Sequence, residues 1–124
     1  MIIIIVGSIT TAKSLFGGVA SMTIEQYKRA NGYSNLYYGW GGEDNDMFFR
    51  LHAAGYPVVR YNKSIAVYNM MPHIRAPVNP ERHHLLATAI ERFKTDGLSD
   101  IKYTVVSTKL QHLYTHIVVD VNPT

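Results

Sequence analysis

Glu43 and Asp44 are the residues whose type and surroundings best suit proton transfer. They stand in the run Tyr37-Tyr38-Gly39-Trp40-Gly41-Gly42-Glu43-Asp44-Asn45-Asp46, with three glycines and the only tryptophan of the chain. A core strand would not hold Gly39, Gly41 and Gly42, and a solvated loop has no need of Trp40. Glycines permit tight turns and close approach of a ligand. A tryptophan between them is a flat apolar plate, suited to holding a sugar ring or covering a phosphate. Carboxylates at a helix start face free N–H groups, which favour the ionised form, and an ionised carboxylate at a pocket edge can take a proton from a hydroxyl. The plainer alternative is a loop whose tryptophan packs inward and whose acids only cap a helix.

Two further groups carry possible chemistry. Met70 and His73 stand three apart with Pro72 between them, so a turn could aim a thioether and an imidazole at one metal ion. A third ligand would be needed; the alternative is an exposed histidine beside a buried methionine. Arg82, His83 and His84 fall at the start of a helix. The two adjacent histidines point apart and do not easily share a metal, so a polar helix face is the alternative there. Arg82 could still reach a carbonyl or carboxylate.

The elements that must position these residues follow from local signals. Thr23 and Gln26 form a capping box that predicts a short helix over 24–30, closed by Asn31-Gly32. A second helix starts at the acidic run, capped by Asp44, Asn45 or Asp46, with Met47, Phe48, Leu51 and Ala54 on its apolar face and Gly55 at its end. "PVVRY" and "IAVYNM" are strand candidates, and "MIIIIVG" reads as an edge or buried strand. "MPHIRAPVNP", with three prolines, is an irregular loop. Asn79 caps a longer helix with Pro80 in its first position and Leu86, Ile90 and Phe93 on its core face, ended by Asp96-Gly97. "IKYTVVS" and "YTHIVVDV" are two more β segments. The pattern is mixed α/β.

Bulk properties narrow the class. With 124 residues, 47% apolar and 17% charged, the chain suits one modest domain. The net charge of +3 is scattered, which gives no nucleic-acid footprint. No cysteine is present, so disulfides, thiolate chemistry and cysteine-based zinc sites are excluded. Neither a signal peptide nor a membrane span is recognisable. Asn62-Lys63-Ser64 fits the N-glycosylation sequon, a faint pointer to the secretory route.

Taken in order, "FGGVASMT", "NGYSNLYYGWGGEDND", "NMMPH", "NPER", "DGLSDIKYTVVS" and "LYTHIVVDV" resemble the C-terminal part of the β-1,4-galactosyltransferase family, from Phe16 to about Val121. The family's second piece reads W-G-W-G-G-E-D-D-D. The resemblance implies a GT-A glycosyltransferase fold and inverting transfer of Gal or GalNAc from a UDP-sugar to the 4-hydroxyl of a GlcNAc-terminated glycan, with Mn2+. It implies a type II membrane protein of the Golgi lumen, anchored by a segment upstream of this chain.

By the same resemblance Trp40 is a moving lid touching donor and acceptor. Glu43 and Asp44 line the acceptor pocket, with Asp44 the favoured general base and Gly41, Gly42 and Gly18 part of the binding surface. Met70 and His73 match two of three metal ligands, the third expected in a D-x-D motif upstream. Arg82 matches a residue near the acceptor's N-acetyl group, and His83 stands where the family has phenylalanine. Leu15 replaces the tyrosine that precedes F-G-G-V in the vertebrate enzymes, leaving room for the acetamido group of GalNAc. Residues 1–15 are expected to be a divergent or truncated start, and 16–124 the catalytic part without its nucleotide-binding half. The alternative is a catalytically inactive fragment acting as a carbohydrate- or protein-binding module.

Overall fold

A computed structural model of the chain describes residues 2–5, 16–62, 64 and 71–121. The element order is β1 (Ile2–Ile5), β2 (Val19–Ser21), α1 (Ile24–Arg29), α2 (Glu43–Ala53), β3 (Val58–Arg60), α3 (Arg82–Ala87), α4 (Ala89–Arg92), β4 (Thr104–Leu110) and β5 (Thr115–Asp120). β1 is the middle of a three-stranded sheet, antiparallel to β2 and parallel to β3. β4 and β5 form an antiparallel hairpin, closed by Gln111 N–H donating to Tyr114 O at 2.8 Å. The "IAVYNM" strand candidate lies outside the described residues.

The capping box of α1 forms as expected. Gln26 N donates to Thr23 Oγ1 at 3.2 Å, and Thr23 N donates to Gln26 Oε1 at 2.8 Å. α1 ends one residue earlier than the expected span, and Asn31 and Gly32 take positive φ beyond it. α2 presents the expected apolar face. Met47 and Leu51 are fully buried and join Phe16 and Ala30 in the core, with Met22, Tyr27, Tyr33, Phe48, Tyr56 and Val58 packed around them.

Three expectations are corrected. The residue capping α2 is Gly42, not Asp44, Asn45 or Asp46, and no side chain bonds that helix end. Asp46 is instead drawn inward by two arginines. The long helix after Asn79 starts later and breaks. Asn79 Oδ1 accepts from Glu81 N at 2.9 Å in a turn, Glu81 is the cap, and the helix opens at Arg82. At Thr88 it divides into α3 and α4. The Thr88 hydroxyl donates to the carbonyls of His84 and Leu85 and accepts from Arg92 Nε at 3.1 Å, which draws the side chain into the helix's own bonding. The break rotates the last turn, so Ile90 is exposed and Ala89 is the buried residue.

Beneath α2 lies an alternating charge network. Asp46 pairs with Arg50 and Arg92, and Asp96 pairs with the same two arginines. Arg50 and Asp46 are fully buried. Ser34 Oγ and Asn35 N donate to the Asp96 carboxylate at 2.6 and 2.8 Å, and Tyr37 Oη donates to Asp46 Oδ2 at 3.0 Å. Among the described residues no buried side-chain nitrogen or oxygen lacks a partner, which is what keeps such a network from costing stability. Around it the 31–35 segment docks on 97–100: Asn31 Oδ1 accepts from Ser99 N, and Asn35 Nδ2 donates to Gly97 O and Asp100 Oδ1.

Candidate active site

The glycine-rich run becomes a folded rim. Gly39, Gly41 and Gly42 have φ of 86°, 108° and 100°. At Gly42 the need for glycine is also steric, because a Cβ would stand 2.7 Å from Tyr37 Cε1 and 3.3 Å from the Arg82 backbone oxygen. Trp40 forms a parallel bridge with Val78: its N–H donates to Pro77 O at 2.8 Å, and its carbonyl accepts from Asn79 N at 3.0 Å. The backbone of the rim is thereby tied to the proline-rich loop, while Trp40 as a whole is 57% exposed. The Arg82 guanidinium lies over the indole at 5.8 Å, a cation–π contact.

Trp40, Gly41, Gly42, Glu43, Asp44, Asn45, Arg82, His83 and Leu86 line a cleft of about 360 Å3. Seven of these residues are site candidates read from the sequence, so the rim, the start of α2 and the start of α3 meet in one place. Trp40 does not pack inward, which removes the plainer reading of that residue.

The two acids are not equivalent. Glu43 Oε2 accepts from Gly41 N at 3.1 Å and so helps hold the rim. Asp44 is half-buried, and its carboxyl is raised above the ordinary carboxylate range, first by burial and then by the neighbouring Glu43 charge. The helix-start environment was expected to favour the ionised form; loss of water outweighs it. Asp44 also touches a residue that sequence reasoning passed over. A Cβ at Gly17 would stand 2.5 Å from Asp44 Oδ2, so the carboxylate occupies the space that the glycine leaves free. Gly18, the glycine singled out from the sequence, is exposed and lies outside the cleft lining.

Tyr33 is the second residue missed. Its phenol is pushed up to about 12, chiefly by burial and then by the Asp44 charge, with smaller parts from Tyr27 and Glu43. The only local signal was its place in "NGYSN", one of the runs that carry the family resemblance.

His73 is exposed and apart from the cleft lining. Its Nδ1 stands 3.2 Å from Met71 O. Met70 and Leu15 lie outside the described residues. Among the described residues no group of three or more His, Asp or Glu stands together to hold a metal.

The mixed α/β arrangement is that of GT-A glycosyltransferase catalytic domains. The chain shares it with the catalytic domain of Drosophila β-1,4-galactosyltransferase 7 solved with xylobiose, at a TM-score of 0.66 and 23% identity, over 88% of this chain and 50% of that one. A mutant of the same enzyme, solved with manganese, UDP-Gal and xylobiose, matches at a TM-score of 0.63 and 22% identity. The family model described as the N-terminal domain of galactosyltransferase matches residues 7–74. Mouse β-1,4-galactosyltransferase 6 is 41% identical over 90% of this chain, and Chinese hamster (Cricetulus griseus) β-1,4-galactosyltransferase 4 is 41% identical over 85%. This chain belongs to the β-1,4-galactosyltransferase family. It spans 29% and 31% of the length of those two relatives.

Proposed function

We propose that the chain is the acceptor-binding and base-bearing portion of an inverting glycosyltransferase that moves Gal or GalNAc from a UDP-sugar to the 4-hydroxyl of a GlcNAc-terminated glycan. The observation that carries the reading is Asp44: a half-buried carboxylate with a raised pKa, in a cleft rimmed by an exposed tryptophan. An apolar plate beside hydrogen-bonding groups suits a sugar ring, whose faces are apolar and whose edge is polar.

In the reaction Asp44 takes the proton from the acceptor hydroxyl as its oxygen attacks the anomeric carbon of the donor, and UDP leaves from the opposite face. Glu43 is less available as the base, because one of its oxygens is held by Gly41 N–H. The raised pKa of Asp44, set by burial and then by the Glu43 charge, makes it a stronger base than an ordinary carboxylate. Trp40 covers the sugars and excludes water, and Arg82 steadies the indole. Arg82 and His83 are the groups nearest in kind to an acetamido substituent on the acceptor.

Mn2+ belongs to the same reading, with His73 and Met70 as two ligands and the third from a D-x-D motif upstream of this chain. When bound, the ion would neutralise the departing diphosphate. The related fly enzyme was solved with manganese and UDP-Gal, which supports the assignment. UDP-GalNAc is the preferred donor here, because Leu15 in place of tyrosine leaves room for its acetamido group. A Golgi-luminal, membrane-anchored full-length protein is the setting the family resemblance implies.

The test is a transfer assay on the full-length protein, with UDP-GalNAc and UDP-Gal offered to a GlcNAc-terminated acceptor. Transfer to the 4-hydroxyl is expected, with the GalNAc-to-Gal ratio falling in Leu15→Tyr. No transfer from either donor would leave the alternative, a non-catalytic carbohydrate-binding module. An unchanged donor ratio would remove Leu15 as the selector.

A further inference from the structure

One carboxylate touches the supports of both cleft walls without lining the cleft itself. Asp46 is two residues beyond Asp44 on α2, about 200° around the helix axis, so it points inward where Asp44 faces the cleft. It is fully buried. Its Oδ2 accepts from Tyr37 Oη at 3.0 Å and from Arg92 Nη2 at 3.2 Å, and its Oδ1 accepts from Arg50 Nε. Tyr37 presses its ring edge against Gly42, the residue that opens α2 immediately before Glu43 and Asp44. Arg92 Nη2 also donates to Leu85 O at 2.6 Å, next to the cleft residue Leu86. One arm of the carboxylate therefore ends under the helix start that bears the acids. The other ends under the helix that bears Arg82, His83 and Leu86.

We propose that Asp46 is the positioning residue of this site, holding the acid-bearing start of α2 and the opposing wall of α3 at a fixed separation through Tyr37 and Arg92. The proposal rests on the glycosyltransferase reading and adds to it a residue that touches no substrate. The energetic logic is distance. Proton transfer and in-line attack need reacting atoms within a few tenths of an ångström of their productive places, and an error of about 1 Å can cost on the order of a hundredfold in rate.

The experiment uses the full-length protein and two mild variants. Tyr37→Phe removes one hydroxyl and leaves the ring against Gly42. Arg92→Lys keeps the charge but cannot span Asp46 and Leu85 together. Turnover per folded molecule is expected to fall about tenfold in each, with acceptor KM raised and donor KM unchanged. A purely structural role would lower Tm and the folded fraction while leaving kcat and both KM values per folded molecule within twofold of the parent. That result overturns the proposal.

A second measurement does not depend on turnover. In crystal structures of the parent and Tyr37→Phe, the Asp44 carboxylate is expected to shift relative to Arg82 and Leu86 by more than about 0.5 Å. Superimposable cleft walls would overturn the proposal even if the kinetics changed. If the unsubstituted protein transfers no sugar, the functional reading fails, and the crystallographic comparison still decides whether Asp46 holds the walls.

Discussion

Asp44 carries both a chemical and a thermodynamic consequence. Asp44→Asn keeps the shape but cannot take a proton, so turnover in the full-length protein should fall about 10²–10⁴-fold while acceptor binding persists. A near-normal kcat would move the base elsewhere. The same carboxyl is raised in the folded state by burial and by Glu43. The folded chain therefore binds the proton more tightly than the unfolded one. The stability this group contributes is full below the ordinary aspartate range and is lost as pH rises through the raised folded value. Asp44→Asn should accordingly raise Tm at neutral pH while abolishing activity, and the gain should vanish in acid; thermal melts at both pH values check this. The kcat/KM of the parent should fall on acidification at a pH above the ordinary carboxylate range. That Trp40, two of the glycines and both acids line one cleft was legible in the sequence, because they stand in one run. The environment of Asp44 was not, because the groups that surround it, Gly17 and Tyr33, come from other segments.

Local signals gave the helices wherever the bonding itself is local. Thr23 and Gln26 are three residues apart, and their reciprocal bonds form as the spacing predicts. Thr23→Ala should cost about 1 kcal/mol, read as a lower denaturant midpoint with an unchanged m-value. Asp46 and Asp96 were read as a cap and a helix stop, since each stands where such residues usually serve. Their real partners are Arg50 and Arg92, and the pairs Arg50–Asp96 and Arg92–Asp46 cross 46 residues of chain, a separation no periodicity announces. The break at Thr88 was missed for the same reason: Leu86, Ile90 and Phe93 keep a helical spacing across it. Arg50→Met should destabilise the fold by about 3–5 kcal/mol, because two buried carboxylates would lose the fully buried one of the two arginines they share. Chemical denaturation measures that loss, and a change under about 1 kcal/mol would show that the network is dispensable.

The mixed α/β class was legible from interleaved patterns, but the sheet order was not. β1 pairs with β3 across more than fifty residues, and its register depends on contacts that exist only after folding. The β4–β5 hairpin raises a different point. Consecutive residues Ile117, Val118 and Val119 are all exposed, as are Val105, Val106 and Leu110, so both faces of the hairpin offer apolar surface to water. A two-stranded ribbon of this kind has little stability alone and tends to associate. The isolated 124-residue chain should therefore run as concentration-dependent oligomers or precipitate. Sedimentation velocity over a tenfold range of concentration is the check, and a single monomeric species throughout would contradict it.

Gly17 and Asp44 share one volume, and that imposes an order on how the two positions can change. A methyl group on Gly17 fits only if the Asp44 carboxylate leaves its place, so the glycine keeps the acid where it is until residue 44 shrinks. Once Asp44 becomes glycine or alanine, the constraint lifts, and a side chain at 17 fills a gap instead of making a clash. A double-mutant cycle should show Gly17→Ala harmful in the parent and harmless in Asp44→Gly. Among diverging copies, loss of the acid would thus precede loss of the glycine, and a filled position 17 would mark a copy that has already given up its carboxylate.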